Sequence, residues 1–178
     1  FTKISAYTVA NVELHSTIED NHSFIVVKNP TSSTLVIGNY QIAPFGSVTL
    51  GTLGKIKEHK GLWYNLEGFY GSSSRVSIVK AIDVTALNLM NGTIKSNNSW
   101  SLLNNCSSFA NKVWNSFSNQ KVNAGTPNTP SKLAISIKSV FSSTCKTNVS
   151  IPSKTRSDFY YDSGTGLVSV PYPTGGGS

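Results

Sequence analysis

The sequence predicts an α+β fold, an antiparallel β-sheet packed against a few helices. Three observations predict it. Short β-branched runs separated by turn residues fill the first half of the chain, a helical period appears only in the middle, and the 178 residues are close to the ~150 of one domain. A single domain is therefore expected over residues 1–174, with 175–178 as a linker or tag-like tail.

Residues Ser23 to Lys28 (SFIVVK) are apolar and β-branched, and Asn29-Pro30-Thr31-Ser32-Ser33 supplies turn chemistry before a second run, Thr34 to Gly38. These two runs are expected to form a hairpin. Ser47 to Leu50 follows the Pro44-Phe45-Gly46 turn with the alternation of a half-buried strand, and Arg75 to Ile82 repeats the pattern. A sheet of about four to six strands is expected. Asp83 to Met90 reads as a short helix capped by Asp83 and closed by Asn91-Gly92. From Asn105, the spacing of Phe109, Ala110, Val113, Trp114 and Phe117 folds onto one helical face, with Asn104 or Asn105 as N-cap. Beyond Gly125 to Pro130, strands and loops are expected again.

Composition narrows the class. Hydrophobic residues make up 38% and charged residues 13%, about half the usual charged share, so the surface is polar but mostly uncharged. The apolar content is too evenly spread for a disordered chain, and no run reaches the roughly 18 apolar residues of a membrane-spanning helix. A net charge of +7 favours anionic polymers or an anionic cell envelope. Only Lys55, Lys57 and Lys60 form a tight basic group, and without a nucleic-acid-binding signature no sequence-specific nucleic-acid partner is expected. The chain starts at Phe1 without an initiator Met, which reads as an excised or mature domain. Its Ser/Thr/Asn-rich character resembles exported bacterial proteins, so a secreted or cell-envelope location is expected.

The chemistry centres on Cys106. It falls in the first turn of the predicted helix, where unpaired amides and the positive end of the helix dipole favour a thiolate, the nucleophilic form of sulfur. Cys145, in SSTCKTN, has no helix behind it and reads as a structural thiol. A general base is needed, and His22 at the start of strand 23–28 is better fixed than His15 in its polar stretch or His59 in its lysine-rich loop. An orienter for the imidazole is needed too. If Asn29 to Ser33 turns a hairpin, residue 39 falls opposite residue 22, which makes Asn39 the candidate. Trp63 and Tyr64, in the aromatic stretch 62–70, are candidates for a substrate-groove wall, and Glu67 in the same stretch is given no role. Three scattered His and two distant Cys provide no metal-ligand spacing, and neither a GxSxG elbow nor a Gly-rich phosphate loop is present, so no metal or cofactor is expected.

The two motifs together resemble circularly permuted papain-like cysteine enzymes, the superfamily of NlpC/P60 and LRAT-like proteins. Asn21-His22-Ser23-Phe24-Ile25-Val26-Val27 looks like that group's His-bearing strand, and Asn105-Cys106-Ser107-Ser108-Phe109-Ala110-Asn111 looks like its helix start, in the permuted order of His before Cys. The likeness covers roughly residues 20–118 and departs in having Asn21 where Gly is usual and Asn39 where a second His is usual. It implies a permuted papain-like fold in which Cys106 attacks a carbonyl, His22 moves the proton, Asn39 orients the ring and helix-start amides hold the oxyanion. The substrate implied is an amide or acyl ester, with an extracellular or peptidoglycan stem peptide as the leading expectation. Alternatives are an LRAT-like acyltransferase, a secreted toxin using the same dyad, and a non-catalytic secreted binding domain with a Cys106–Cys145 disulfide.

Overall fold

The computed structural model describes residues 7–19, 21–54, 58–69 and 74–170, so the expected tail at 175–178 lies outside the described residues. Among the described residues ten strands and three α-helices are formed: β1 (Ala10–Thr17), β2 (Ser23–Lys28), β3 (Leu35–Ile37), β4 (Tyr40–Ile42), β5 (Ser47–Leu53), β6 (Gly61–Tyr64), β7 (Arg75–Ile82), α1 (Val84–Ser96), α2 (Cys106–Phe117), α3 (Pro130–Val140), β8 (Lys146–Thr147), β9 (Tyr160–Asp162) and β10 (Leu167–Ser169). Eight strands make one antiparallel sheet in the order β10-β9-β6-β5-β2-β1-β7-β8, and β3 with β4 stands apart as a small hairpin. The α+β class is as expected. The sheet is wider than four to six strands, because the polar β1 and the short strands after residue 145 join it.

The expected hairpin between strands 23–28 and 34–39 does not form. Both edges of β2 are already occupied, by β1 and by β5, while β3 turns back through Gly38 (φ 57°) and pairs with β4. Only a residue tolerant of positive φ makes that reversal cheaply. Asn29 holds the excursion closed by donating from Nδ2 to the carbonyls of Ser33 at 2.7 Å and Ala43 at 3.2 Å.

All three helices contribute to one apolar core with the sheet, in which Leu14 of β1, Ile25 of β2 and Leu50 of β5 meet Ile94, Phe109, Trp114 and Ile137. α2 lies against β2 and β5, which is what carries its first residue to the sheet. α1 runs past the expected stop at Asn91-Gly92. Asn91 binds the small hairpin, accepting from Gly38 N at 2.9 Å and donating to Val36 O at 3.0 Å, and Ile94 beyond it is wholly buried. α3 replaces expected strands and loops. Its cap is Thr129, which accepts from Lys132 N, Pro130 stands in its first turn, and Leu133, Ala134 and Ile137 are buried on one face.

The other face of the sheet is also covered. There Glu13 and His15 alternate with the core residues of β1, Phe24 stacks on His15 at 5.0 Å between ring centroids, and Arg75 lies 5.9 Å from the same Phe24 ring. His15 Nε2 meets Glu13 Oε1 at 2.8 Å while its Nδ1 accepts from Arg75 Nε at 3.0 Å. An imidazole that accepts from a guanidinium is neutral. Burial, above all, lowers the pKa of His15, with Arg75 adding to the effect against the pull of Glu13.

Two predictions follow from this packing. A Cβ added at Gly92 meets nothing within 4 Å, so Gly92→Ala is expected to stabilise the chain by about 0.5–1 kcal/mol in urea unfolding through helix propensity alone. For His15 the unfolded state binds the proton more readily than the folded state, so stability is present above the ordinary value of 6.5 and is lost as pH falls below it. The urea midpoint should drop between pH 7 and pH 5. His15→Gln, which can donate to Glu13 and accept from Arg75 without titrating, should reduce that slope.

Candidate active site

Three pieces of chain converge at the end of β2. The first is the β1–β2 connection. Thr17 N donates to the His22 carbonyl at 3.1 Å, and His22 N and Asn21 N donate to Thr17 Oγ1 at 3.0 and 2.8 Å, so the turn is closed without a glycine at position 21. The second is the start of α2. Asn105 is its N-cap, with Oδ1 accepting from Ser108 N at 3.0 Å and Nδ2 donating to the Asn128 carbonyl at 3.0 Å, and Cys106 is the first helical residue. The third is the 3-10 turn Leu66–Phe69 after β6, which carries Glu67.

Cys106 and His22 are hydrogen-bonded to one another. His22 is 1% exposed, and its Nε2 lies 3.2 Å from Glu67 Oε1. Glu67 is itself wholly buried and accepts from Thr49 Oγ1 at 2.7 Å through its second oxygen. The phenyl ring of Phe24 stacks on His22 at 5.7 Å. Cys106 is half-buried and is a free thiol, as is Cys145, so the alternative of a Cys106–Cys145 disulfide is not what the chain adopts. Cys145 instead packs partly buried against the main core.

The electrostatics favour a thiolate–imidazolium pair. Burial pulls the His22 pKa down, but the Cys106 sulfur and the Glu67 carboxylate together outweigh it and raise it to about 10. Burial likewise pushes the Cys106 thiol up, yet its pKa ends below the ordinary value. The charge and hydrogen bond of His22 bring it down, with the backbone N–H groups of Ser23 and Ser107 also directed at the sulfur. The first-turn amides of α2 have no intrahelical acceptor and carry the positive end of the dipole, which favours the same ionised state.

The structure moves two other expected roles. Asn39 is not the orienter, because the hairpin that would have set it opposite His22 does not form. Its Nδ2 instead donates to both oxygens of Asp162, at 3.0 and 3.2 Å, and its N donates to Tyr64 Oη at 3.2 Å. Glu67 occupies the orienter's place. A carboxylate fixes the ring as an amide would and adds a negative charge beside the imidazolium. Nor do Trp63 and Tyr64 line a groove: both are fully buried. Tyr64 lies in the main core and donates to Asp162 at 3.0 Å, while Trp63 packs with Leu53, Leu66 and Phe159 on the opposite face and donates to the His59 carbonyl at 3.0 Å. Among the described residues no cluster of His, Cys, Asp or Glu could hold a metal ion.

Glu67 reaches His22 through a gap in β5. A Cβ at Gly51 would stand 2.6 Å from Glu67 Oε1, 3.1 Å from His22 Nε2 and 3.3 Å from Phe24 Cβ. Only a residue without a side chain leaves that contact open. Asn65 aims the carboxylate from the other end. Its positive φ of 71° turns the chain out of β6, and its Nδ2 is tied to Tyr40 Oη at 3.1 Å and the Asp158 carbonyl at 2.9 Å. A buried acid in the run WYNLE demands a partner, and this is the sequence signal that points to Glu67.

Compared with protein-family models, curated proteins and solved structures, the chain matches none. Its site is therefore described by its own geometry.

Gly51→Ala is expected to separate Glu67 from His22 and to shift the pH at which Cys106 becomes reactive upward. Alkylation by iodoacetamide as a function of pH measures it, with circular dichroism confirming that the sheet persists. An unchanged alkylation profile would show that the contact does not help ionise the sulfur.

Proposed function

We propose that this chain is a thiol hydrolase that cleaves an amide bond, with an extracellular or cell-envelope peptide such as a peptidoglycan stem peptide as substrate. The observation that carries the reading is the free, half-buried Cys106 at a helix start, hydrogen-bonded to a buried His22 that is seated on Glu67.

In this reading the Cys106 thiolate attacks the carbonyl carbon, forming a C–S bond as the carbonyl π electrons move to oxygen. The resulting oxyanion lies by the first turn of α2, where backbone N–H groups offer hydrogen bonds. The imidazolium of His22 gives its proton to the leaving nitrogen as the C–N bond breaks, leaving a thioester. Water then attacks the thioester while His22 takes its proton. Collapse expels the sulfur, the acid product leaves, and the thiolate–imidazolium pair is restored. Glu67 keeps the ring oriented and favours its charged form throughout. The basic charge of the chain and its resemblance to exported proteins support a secreted enzyme acting near the anionic cell envelope.

The test is direct. Iodoacetamide is expected to modify Cys106 at pH 6–7 much faster than Cys145, and equal rates would count against activation. Peptide hydrolysis should vanish in Cys106→Ala with the fold intact. It should also fail at high pH as His22, with its pKa raised to about 10, loses the proton it gives to the leaving group. Turnover retained by Cys106→Ala would remove this sulfur from the mechanism.

A further inference from the structure

Immediately before Cys106 the chain makes a closed turn with an apolar tip. Ser101 N donates to the Asn104 carbonyl at 3.3 Å and Asn104 N donates to the Ser101 carbonyl at 3.1 Å, which leaves Leu102 and Leu103 at the apex, 82% and 88% exposed. The turn is well tied. Asn104 Nδ2 donates to the carbonyls of Asn97 at 3.2 Å and Ser99 at 2.5 Å, and Lys112 Nζ donates to Asn104 Oδ1 at 3.2 Å. Scattered exposed leucines are ordinary, but two adjacent ones at the tip of an anchored turn, where Asn, Asp or Gly usually sits, need a reason.

Charge supplies it. Lys112 braces the turn through Asn104, and Lys60 lies 5.9 Å from the ring of half-buried Trp100 just before it, with Glu58 the acidic residue nearest to Lys60 in sequence. More broadly, the segment from Val84 to Ser157, which contains all three helices, has seven lysines and one arginine and not a single Asp or Glu. Asp83 and Asp158 bound it, and both carboxylates accept backbone N–H groups, of Ala86 and Thr155. A helical layer without carboxylates has no acidic groups of its own to offset its lysines, and the apolar tip stands on the connection between α1 and α2.

We infer that the Ser101–Asn104 turn docks on an anionic phospholipid membrane, with Leu102 and Leu103 entering the interface and the lysines of the helical layer held against the headgroups. Two weak signals, apolar insertion and basic attraction, combine in stable attachment to a bilayer surface. A soluble anionic polymer would use the lysines but not the leucines, and a second copy of this chain would bring its own lysines against them. The three peptide units from Leu103 to Cys106 span at most about 11 Å, so docking would set the thiol close to the bilayer surface. The inference goes beyond the proposed hydrolysis and does not depend on it.

Co-sedimentation of the full chain with phosphatidylglycerol-containing vesicles tests it, against pure phosphatidylcholine vesicles. Binding is expected with the anionic vesicles, falling at least about tenfold in L102S/L103S and falling again in high salt. Iodoacetamide alkylation of Cys106 without vesicles should be unchanged in that double variant, which shows that the site is intact. Absence of binding, equal binding to both vesicle types, or full binding by L102S/L103S would overturn the inference. So would a wild-type dimer in sedimentation velocity that the double variant abolishes, since a second copy would then cover the tip. Vesicle binding by a chain whose Cys106 proves unreactive would uphold docking while sinking the hydrolase reading alone.

Discussion

A charged imidazole with 1% of its surface in contact with solvent is stable only between anions. Removing an ion from water costs several kcal/mol even after the protein relaxes, and the charge of His22 is offset by contacts with the Cys106 sulfur and the Glu67 carboxylate. The dependence runs both ways. His22 beside the sulfur lowers the pKa of Cys106, and the Cys106 sulfur and the Glu67 carboxyl beside the ring raise the pKa of His22. Deleting His22 leaves two buried acidic groups without a cation, and deleting Cys106 or Glu67 leaves the imidazolium with a single counter-charge, so the trio behaves as a unit whose parts cannot be assigned separate energies.

The fold satisfies this requirement by bringing three ends of structure to one point. The β1–β2 turn fixes the backbone of His22, whose carbonyl accepts from Thr17 N, the helix start delivers Cys106, whose sulfur meets the backbone N–H groups of Ser107 in α2 and Ser23 in β2, and the turn after β6 delivers Glu67. None of these elements alone makes the site. Gly51 leaves the space through which Glu67 meets the ring, and Asn65 reverses the chain with a positive φ. The same β5 that supplies the gap also supplies Thr49, whose hydroxyl holds the far oxygen of Glu67. Backbone and carboxylate are thus registered by one strand.

What could be read from sequence was what is local. His22 precedes a run of β-branched residues and Cys106 opens a helix with an Asn cap, so each announces its own backbone setting. Glu67 does not, because its role depends on a contact 45 residues away in the chain. The role expected of Asn39 depends on a pairing of strands that does not form, because β1 and β5 hold both edges of β2. β1 carries a weak strand signal because Glu13 and His15 give it a polar face, and a polar face suggests solvent. Here it is buried instead, with Glu13 paired to Lys28 and the neutral His15 accepting from Arg75. The same double coverage explains Trp63 and Tyr64: successive residues of a strand point to opposite faces, and in a sheet covered on both sides neither aromatic reaches a groove. α3 carried its full signal, a Thr-Pro start and buried positions at 133, 134 and 137, but a Gly/Thr/Pro/Asn-rich approach disguised it.

His15 and His22 show how much the neighbours decide. Both are buried, both stack on Phe24, and both hydrogen-bond a glutamate through Nε2. Burial alone would lower both. His15 meets the Arg75 guanidinium with its remaining nitrogen, so a proton there would set cation against cation, and its pKa falls. His22 meets a sulfur that can surrender a proton, so the same ring gains an anion by becoming charged, and its pKa rises. A carboxylate at Nε2 is therefore not what makes a histidine a candidate base. The distinguishing feature is the ring's further partner, the Arg75 guanidinium for His15 and the Cys106 sulfur for His22.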